Sequence, residues 1–182
     1  ILQRPYRPGM SLEPSTSFNV YDRFLGDRVA EGAGDRRALL TDEGTWTYGD
    51  VHEAAGRTAS LLRGMGVAPG DRVLMALPDG PGYAVTLFGI LRMGGVVVMV
   101  NPHLDAEQIR YFYDYTEPAA ALVDRTVAST FAEAAREVNP AAEIVAWPYS
   151  ATFVWSSDRT QTGFINKLMR DGKKNLASRI FY

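Results

Sequence analysis

The stretch GVAPGDRVLMALPDGPGYAVTLFGILRMGGVVVMVNPHL, residues 66–104, decides the fold class. Within it RVLMALP (72–78) is a continuous apolar run of strand length, the pattern of a strand covered on both faces. Pro69-Gly70-Asp71 ahead of it makes a turn. YAVTLFGILRMGGVVVMV (83–100) approaches the length of a membrane span, but Arg92 and the pair Gly94-Gly95 divide it in the middle. A helix over about 82–93 followed by a buried strand, VVVMVN (96–101), accounts for both halves. The alternation continues with a helix over about 105–115, strand AAALVD (119–124), a helix over about 127–138 and strand EIVAW (143–147). Four strands separated by helices predict an α/β fold, a parallel sheet flanked by helices and joined by right-handed crossovers.

Upstream, Gly64 and Gly66 end an amphipathic run whose apolar positions are Val51, Ala54, Ala55, Thr58, Leu61, Leu62 and Met65, so a helix is predicted over 48–64. Thr47 and Asp50 have the Thr-x-x-acid spacing of a capping box at its start. ALLTDEGTWTY (38–48) reads as a hairpin turning around Asp42-Glu43-Gly44, with Gly44 free to take a positive φ. SFNVYDRFLGDRV (17–29) predicts a short docking helix, with Asn19 as N-cap and Val20, Phe24 and the stem of Arg28 on one face.

At 182 residues, 46% hydrophobic and 22% charged, the chain has the balance of a folded globular protein of one domain with an appendage. Its net charge of −2 hides a split. Residues 1–150 are acidic and contain arginine but no lysine. Residues 151–182 are basic and hold all the lysines: Lys167, Lys173 and Lys174. The absence of cysteine excludes a disulfide framework, a thiolate nucleophile and a Cys-based zinc site, and is compatible with a reducing cytoplasm, the location expected. The start ILQRPYRPGM is too polar and proline-rich for a secretion signal, and Met10 is the better natural beginning.

Few residues carry chemistry. Gly64-x-Gly66-x-x-x-Gly70 follows a helix instead of a strand and has the wrong spacing for a dinucleotide fingerprint. Asp79-Gly80-Pro81-Gly82 does lie between a strand and a helix, where backbone N–H groups hold phosphates, but Pro81 removes one donor and no Lys or Ser/Thr follows. His52 sits one residue off an apolar stripe and reads as a solvated surface histidine. His103 lies just beyond the carboxyl end of strand 96–101, the edge at which α/β sheets bind ligands. Neither histidine has an identifiable partner for a hydrolase triad, and no metal site is indicated.

Taken together, TWTYGDV (45–51), GVAPGDRVLMALPD (66–79) and LRMGGVVVMVNPHL (91–104) resemble the opening third of the adenylate-forming acyl-CoA synthetase superfamily over about residues 18–147. FNVYDRFL and DAEQIRYFYDYTEPAAALVD are most similar to benzoate and other aryl-CoA ligases. For the complete enzyme the resemblance implies ATP-dependent activation of a carboxylic acid as an acyl-adenylate, followed by transfer to CoA, with Mg²⁺ on the phosphates. It also implies that the phosphate loop, acyl pocket and adenylation lysine lie outside these residues. No catalytic residue is assigned, His103 is placed on the CoA side, and this stretch alone is expected to be inactive and to bind none of these cofactors tightly.

FINKLMRDGKKNLASRIFY (164–182) resembles something else, the amino-terminal helices of small-subunit ribosomal protein seven. That implies RNA contacts by Lys167, Arg170, Lys173, Lys174 and Arg179, with Phe164, Leu168, Leu176 and Ile180 facing a helical core. The organisation expected is a leader (1–17) that is non-native before Met10, the amino-terminal part of an AMP-binding domain (18–148), a Ser/Thr-rich connector (149–163) and the basic tail (164–182), joined as a chimeric or misassembled frame. An RNA-binding fragment and a small non-catalytic binding module are the alternatives to a ligase fragment.

Overall fold

The capping box expected at Thr47 forms. The Thr47 hydroxyl accepts from the Asp50 backbone N–H at 3.1 Å, and the Asp50 carboxylate accepts from the Thr47 N–H at 2.8 Å. In this computed structural model, which describes residues 18–42, 44–139 and 141–147, that box opens helix α1 (Tyr48–Gly64). Before it come a leading helix with two π-type turns (Asp22–Gly26 and Val29–Ala33) and an antiparallel hairpin of β1 (Arg37–Thr41) and β2 (Gly44–Thr47). Gly44 closes the hairpin with φ 150°, the positive value that favours glycine there.

After α1 the chain alternates as its apolar runs predict: β3 (Arg72–Ala76), α2 (Pro81–Arg92), β4 (Val96–Met99), α3 (Ala106–Thr116), β5 (Ala120–Asp124), α4 (Ala128–Val138) and β6 (Glu143–Trp147). The strands form one parallel sheet in the order β4-β3-β5-β6. The connector and basic tail expected over 149–163 and 164–182 lie outside the described residues.

Alternation along each strand divides the core into two layers. Val73, Met75, Leu77, Ala120, Leu122 and Val145 face α1, α2 and the leading helix. Leu74, Ala76, Ala121, Val123 and Ile144 face the other way, against Ile109 and Tyr113 of α3 and Phe131, Ala134 and Ala135 of α4. Each fully buried large aliphatic side chain contributes about 1.5–3 kcal/mol, which makes β3 and β5 the energetic centre. The edge strand β4 differs from the expectation of a buried strand: Val96 is 48% and Met99 56% exposed.

Helices α1 and α2 approach so closely that a Cβ added at Gly89 would stand 2.6 Å from both Cβ and Cγ2 of Thr58. The leading helix docks by a different face from the one predicted. Tyr21 and Leu25 are buried (5% and 2% exposed), while Val20 and Phe24 point outward. Its sequence has two apolar stripes, and the one bearing Tyr21 wins because the tyrosine hydroxyl meets His52 on α1 while its ring packs against Phe88 and Arg92 of α2.

Candidate functional site at the carboxyl edge of the sheet

The chain moves from β3 outward to β4, then crosses back past β3 to β5. The strand order therefore reverses between β3 and β5, and the crevice beyond their carboxyl ends is where an open α/β sheet receives a ligand. Three loops border this edge: Leu77 to Gly80 after β3, Val100 to Asp105 after β4, and Arg125 to Val127 after β5.

Local hydrogen bonding holds each loop. Gly80 takes φ 153°, ψ −174° and leads into α2 with Pro81 in the first turn and no side-chain cap. The Tyr83 hydroxyl, one turn on, donates to the Met99 sulfur at 3.0 Å and ties the start of α2 to the end of β4. In the β4 loop the Asn101 side-chain Oδ1 accepts from the His103 backbone N–H at 2.8 Å. Asp105 then caps α3 in a second box, accepting from the Gln108 N–H at 2.8 Å while the Gln108 side chain accepts from the Asp105 N–H at 3.2 Å. His103 is thus an exposed imidazole on a short loop fixed at both ends, at the edge the sequence predicts.

Asp124 is the residue at this edge that sequence reasoning passed over. It is the one charged side chain in the AAALVD run, and that was the available signal. The structure buries it at the end of β5, where its carboxylate accepts from the N–H of Thr126 at 2.8 Å and from the Thr126 hydroxyl. This turns the chain into α4.

Arg125 is the only full cation in the three loops, beside Asp79, Asp105 and Asp124. Among the described residues no group of three or more His, Cys, Asp or Glu side chains could hold a metal ion. No chemical step is assigned to the side chains on this edge.

His52 lies elsewhere, between α1, α2 and the leading helix, and is not the solvated side chain its sequence position suggested. Tyr21 Oη and His52 Nδ1 are 2.9 Å apart, and Arg92 donates to the His52 carbonyl at 3.0 Å with its guanidinium 5.1 Å from the Tyr21 ring centre. Burial, with a smaller contribution from Arg92, lowers the His52 pKa from its ordinary 6.5, and burial raises that of Tyr21. The five basic residues proposed to meet RNA, Lys167, Arg170, Lys173, Lys174 and Arg179, lie outside the described residues.

No helix among the described residues is long and apolar enough to cross a membrane. The AMP-binding enzyme family matches residues 26–168, running past the limit of 147 drawn from motifs and taking in Lys167. The 3-hydroxybenzoate–CoA/4-hydroxybenzoate–CoA ligase of Thauera aromatica is 30% identical over 134 residues, 74% of this chain and 26% of that protein. The salicyl-AMP ligase / salicyl-S-ArCP synthetase of Mycobacterium tuberculosis is 41% identical over 106 residues, 58% of this chain and 18% of its own length. Among solved structures, a benzoate CoA ligase from Burkholderia xenovorans LB400 superposes with a TM-score of 0.65 at 26% identity, covering 72% of this chain and 26% of the other. The chain spans about a quarter or less of these relatives.

Proposed function

Because the chain belongs to the AMP-binding enzyme family, we propose that residues 18–148 are the amino-terminal scaffold of a ligase that activates an aromatic carboxylic acid. In the full reaction a carboxylate oxygen attacks the α-phosphorus of ATP and pyrophosphate leaves. The sulfur of CoA then attacks the acyl carbon, AMP leaves with the electron pair of the broken C–O bond, and the thiol proton passes to solvent or a base. Mg²⁺, when bound, neutralises phosphate charge. The part given to the residues described here is mechanical: a rigid two-layered sheet that holds the loops of its carboxyl edge in register, with His103 facing the CoA side. The family match over residues 26–168 carries this reading, supported by the benzoate CoA ligase superposition.

Two measurements test it. The 182-residue chain alone should give no exchange of pyrophosphate into ATP above background with benzoate or hydroxybenzoates, since positioned phosphate and acyl groups supply most of such catalysis. Residues 18–147 grafted in place of the matching segment of a benzoate CoA ligase should retain exchange with the parent acid. Exchange by the chain alone, or a folded but inactive graft, would overturn the reading.

The 41% identity to a ligase that loads an aryl carrier protein favours a second acceptor, a carrier-borne thiol in place of free CoA. In the active graft, His103→Ala should raise KM for CoA more than it slows pyrophosphate exchange. An unchanged KM would favour the carrier.

A further inference from the structure

Tyr21 and Leu25 are the buried residues of the leading helix, whereas Phe18, Val20 and Phe24 face outward. Its upstream half is held at few points. The Asn19 side-chain amide donates to the Leu91 carbonyl at 2.7 Å, Tyr21 meets His52 at 2.9 Å, and the Tyr21 ring lies edge-on to Phe88 with centres 6.5 Å apart. The downstream end is secured separately, by the Gly49 N–H donating to the Gly34 carbonyl at 2.8 Å and the Tyr48 N–H to the Arg36 carbonyl at 2.9 Å. Between the two lies Gly32, at φ 85°, where the helix is kinked. A segment that docks through two buried side chains, Tyr21 and Leu25, and is kinked just before its fixed end can open as a unit without unfolding the rest.

The chemistry of its main contact depends on protonation. Arg92 donates to the His52 carbonyl and sets its guanidinium 5.1 Å from the centre of the Tyr21 ring. A Tyr21 hydroxyl that donates to His52 Nδ1 across this 2.9 Å contact requires a neutral imidazole protonated at Nε2. The charged groups around His52 are Arg92 from α2, Asp22 on the leading helix, which acts on Tyr21, and Glu53 on α1, paired with Arg57. An imidazolium at this position would lose the acceptor and stand beside a guanidinium.

We infer that Tyr21, His52 and Arg92 form an acid-sensitive latch, which holds the leading helix on α1 and α2 while His52 is neutral and releases it about Gly32 when His52 takes up a proton. The sign follows from linkage. A histidine kept neutral when docked but free to titrate when open binds more protons in the open state. The docked state is therefore at full strength above the free imidazole pKa, about 6.5, and weakens as pH falls below it.

Hydrogen exchange on the full 182-residue chain, corrected for intrinsic rates, tests the latch. Between pH 7.5 and 5.5 the opening equilibrium of residues 20–33 should rise by up to about tenfold, the limit for one group titrating only in the open state, while the α1 core stays protected. In His52→Asn the amide oxygen, as many bonds from Cα as Nδ1, replaces it as acceptor without titrating, so the rise should vanish. If that variant does not fold, the wild-type imidazole resonances serve instead, with titration below 6.5 and an unprotonated Nδ1 at neutral pH. Opening that is the same at both pH values, a rise that survives in His52→Asn, or titration of His52 at or above 6.5 would overturn the proposal.

Discussion

Gly89 sits where α2 crosses α1, and replacing it with alanine puts one methyl carbon into space already taken. That carbon would stand 2.6 Å from both Cβ and Cγ2 of Thr58 and 3.1 Å from the Ala55 carbonyl oxygen. Carbon atoms in favourable contact are about 3.5–4.0 Å apart, so the overlap is about 1 Å. Neither Thr58 Cβ nor a helix carbonyl moves with a side-chain rotation, and relief requires the two helices to separate. Overpacking of this kind costs about 1–3 kcal/mol, and the rigid neighbours place Gly89→Ala at the upper end. Alanine returns about 1 kcal/mol as the better helix former, leaving a net loss of about 2 kcal/mol. For a chain of this size that lowers Tm by about 4–8 °C, to be read by far-ultraviolet circular dichroism on heating. Thr58→Gly removes the obstructing atoms, so a double-mutant cycle should show a favourable coupling of at least about 1 kcal/mol. A Gly89→Ala protein as stable as wild type, or a cycle with no coupling, would refute the close approach.

Asp105→Ala removes the side chain that caps α3 and anchors the loop carrying His103, and should cost about 1 kcal/mol, or about 2–4 °C in Tm. A change below 1 °C would mean that the cap is not formed. Tyr113→Phe removes a hydroxyl buried without a hydrogen-bond partner in the structure, and should leave stability unchanged or raise it by up to about 1–2 kcal/mol. A loss of more than 1 kcal/mol would reveal a partner for that hydroxyl.

The strands were legible because β3 and β5, buried on both faces, and even the edge strand β4 are continuous apolar runs, and Thr47 and Asp50 announced their helix because capping chemistry is local. The strand order was not, since residues 72–76 look the same whether their neighbours are β4 and β5 or any other pair. The docking face of the leading helix was misjudged for a related reason. Val20 with Phe24 and Tyr21 with Leu25 are both helical pairs, and only contacts with His52 and Arg92, far along the chain, choose between them. Those contacts also explain why His52 looked solvated on its own helix and is not. The crossing at Gly89 depends on knowing that α1 and α2 are neighbours. At the candidate site, His103 could be placed because the end of a strand and its following loop are sequential, whereas the turn built on Asp124 hid within a strand-like run.

The position of β3 inside the sheet has a consequence for synthesis. Its first neighbour, β4, follows closely in the chain, but its second, β5, pairs Ala120 with Val73 and emerges only after α2, β4 and α3 have been made. Until then one edge of β3 has no partner, and Leu74 and Ala76 face a layer of helices that does not yet exist. A nascent chain halted after β4 presents a bare apolar surface beside an open strand edge, the combination that recruits chaperones and seeds aggregation. The vulnerable interval opens as β4 leaves the ribosome and closes when β5 pairs with β3 and α3 and α4 cover that face.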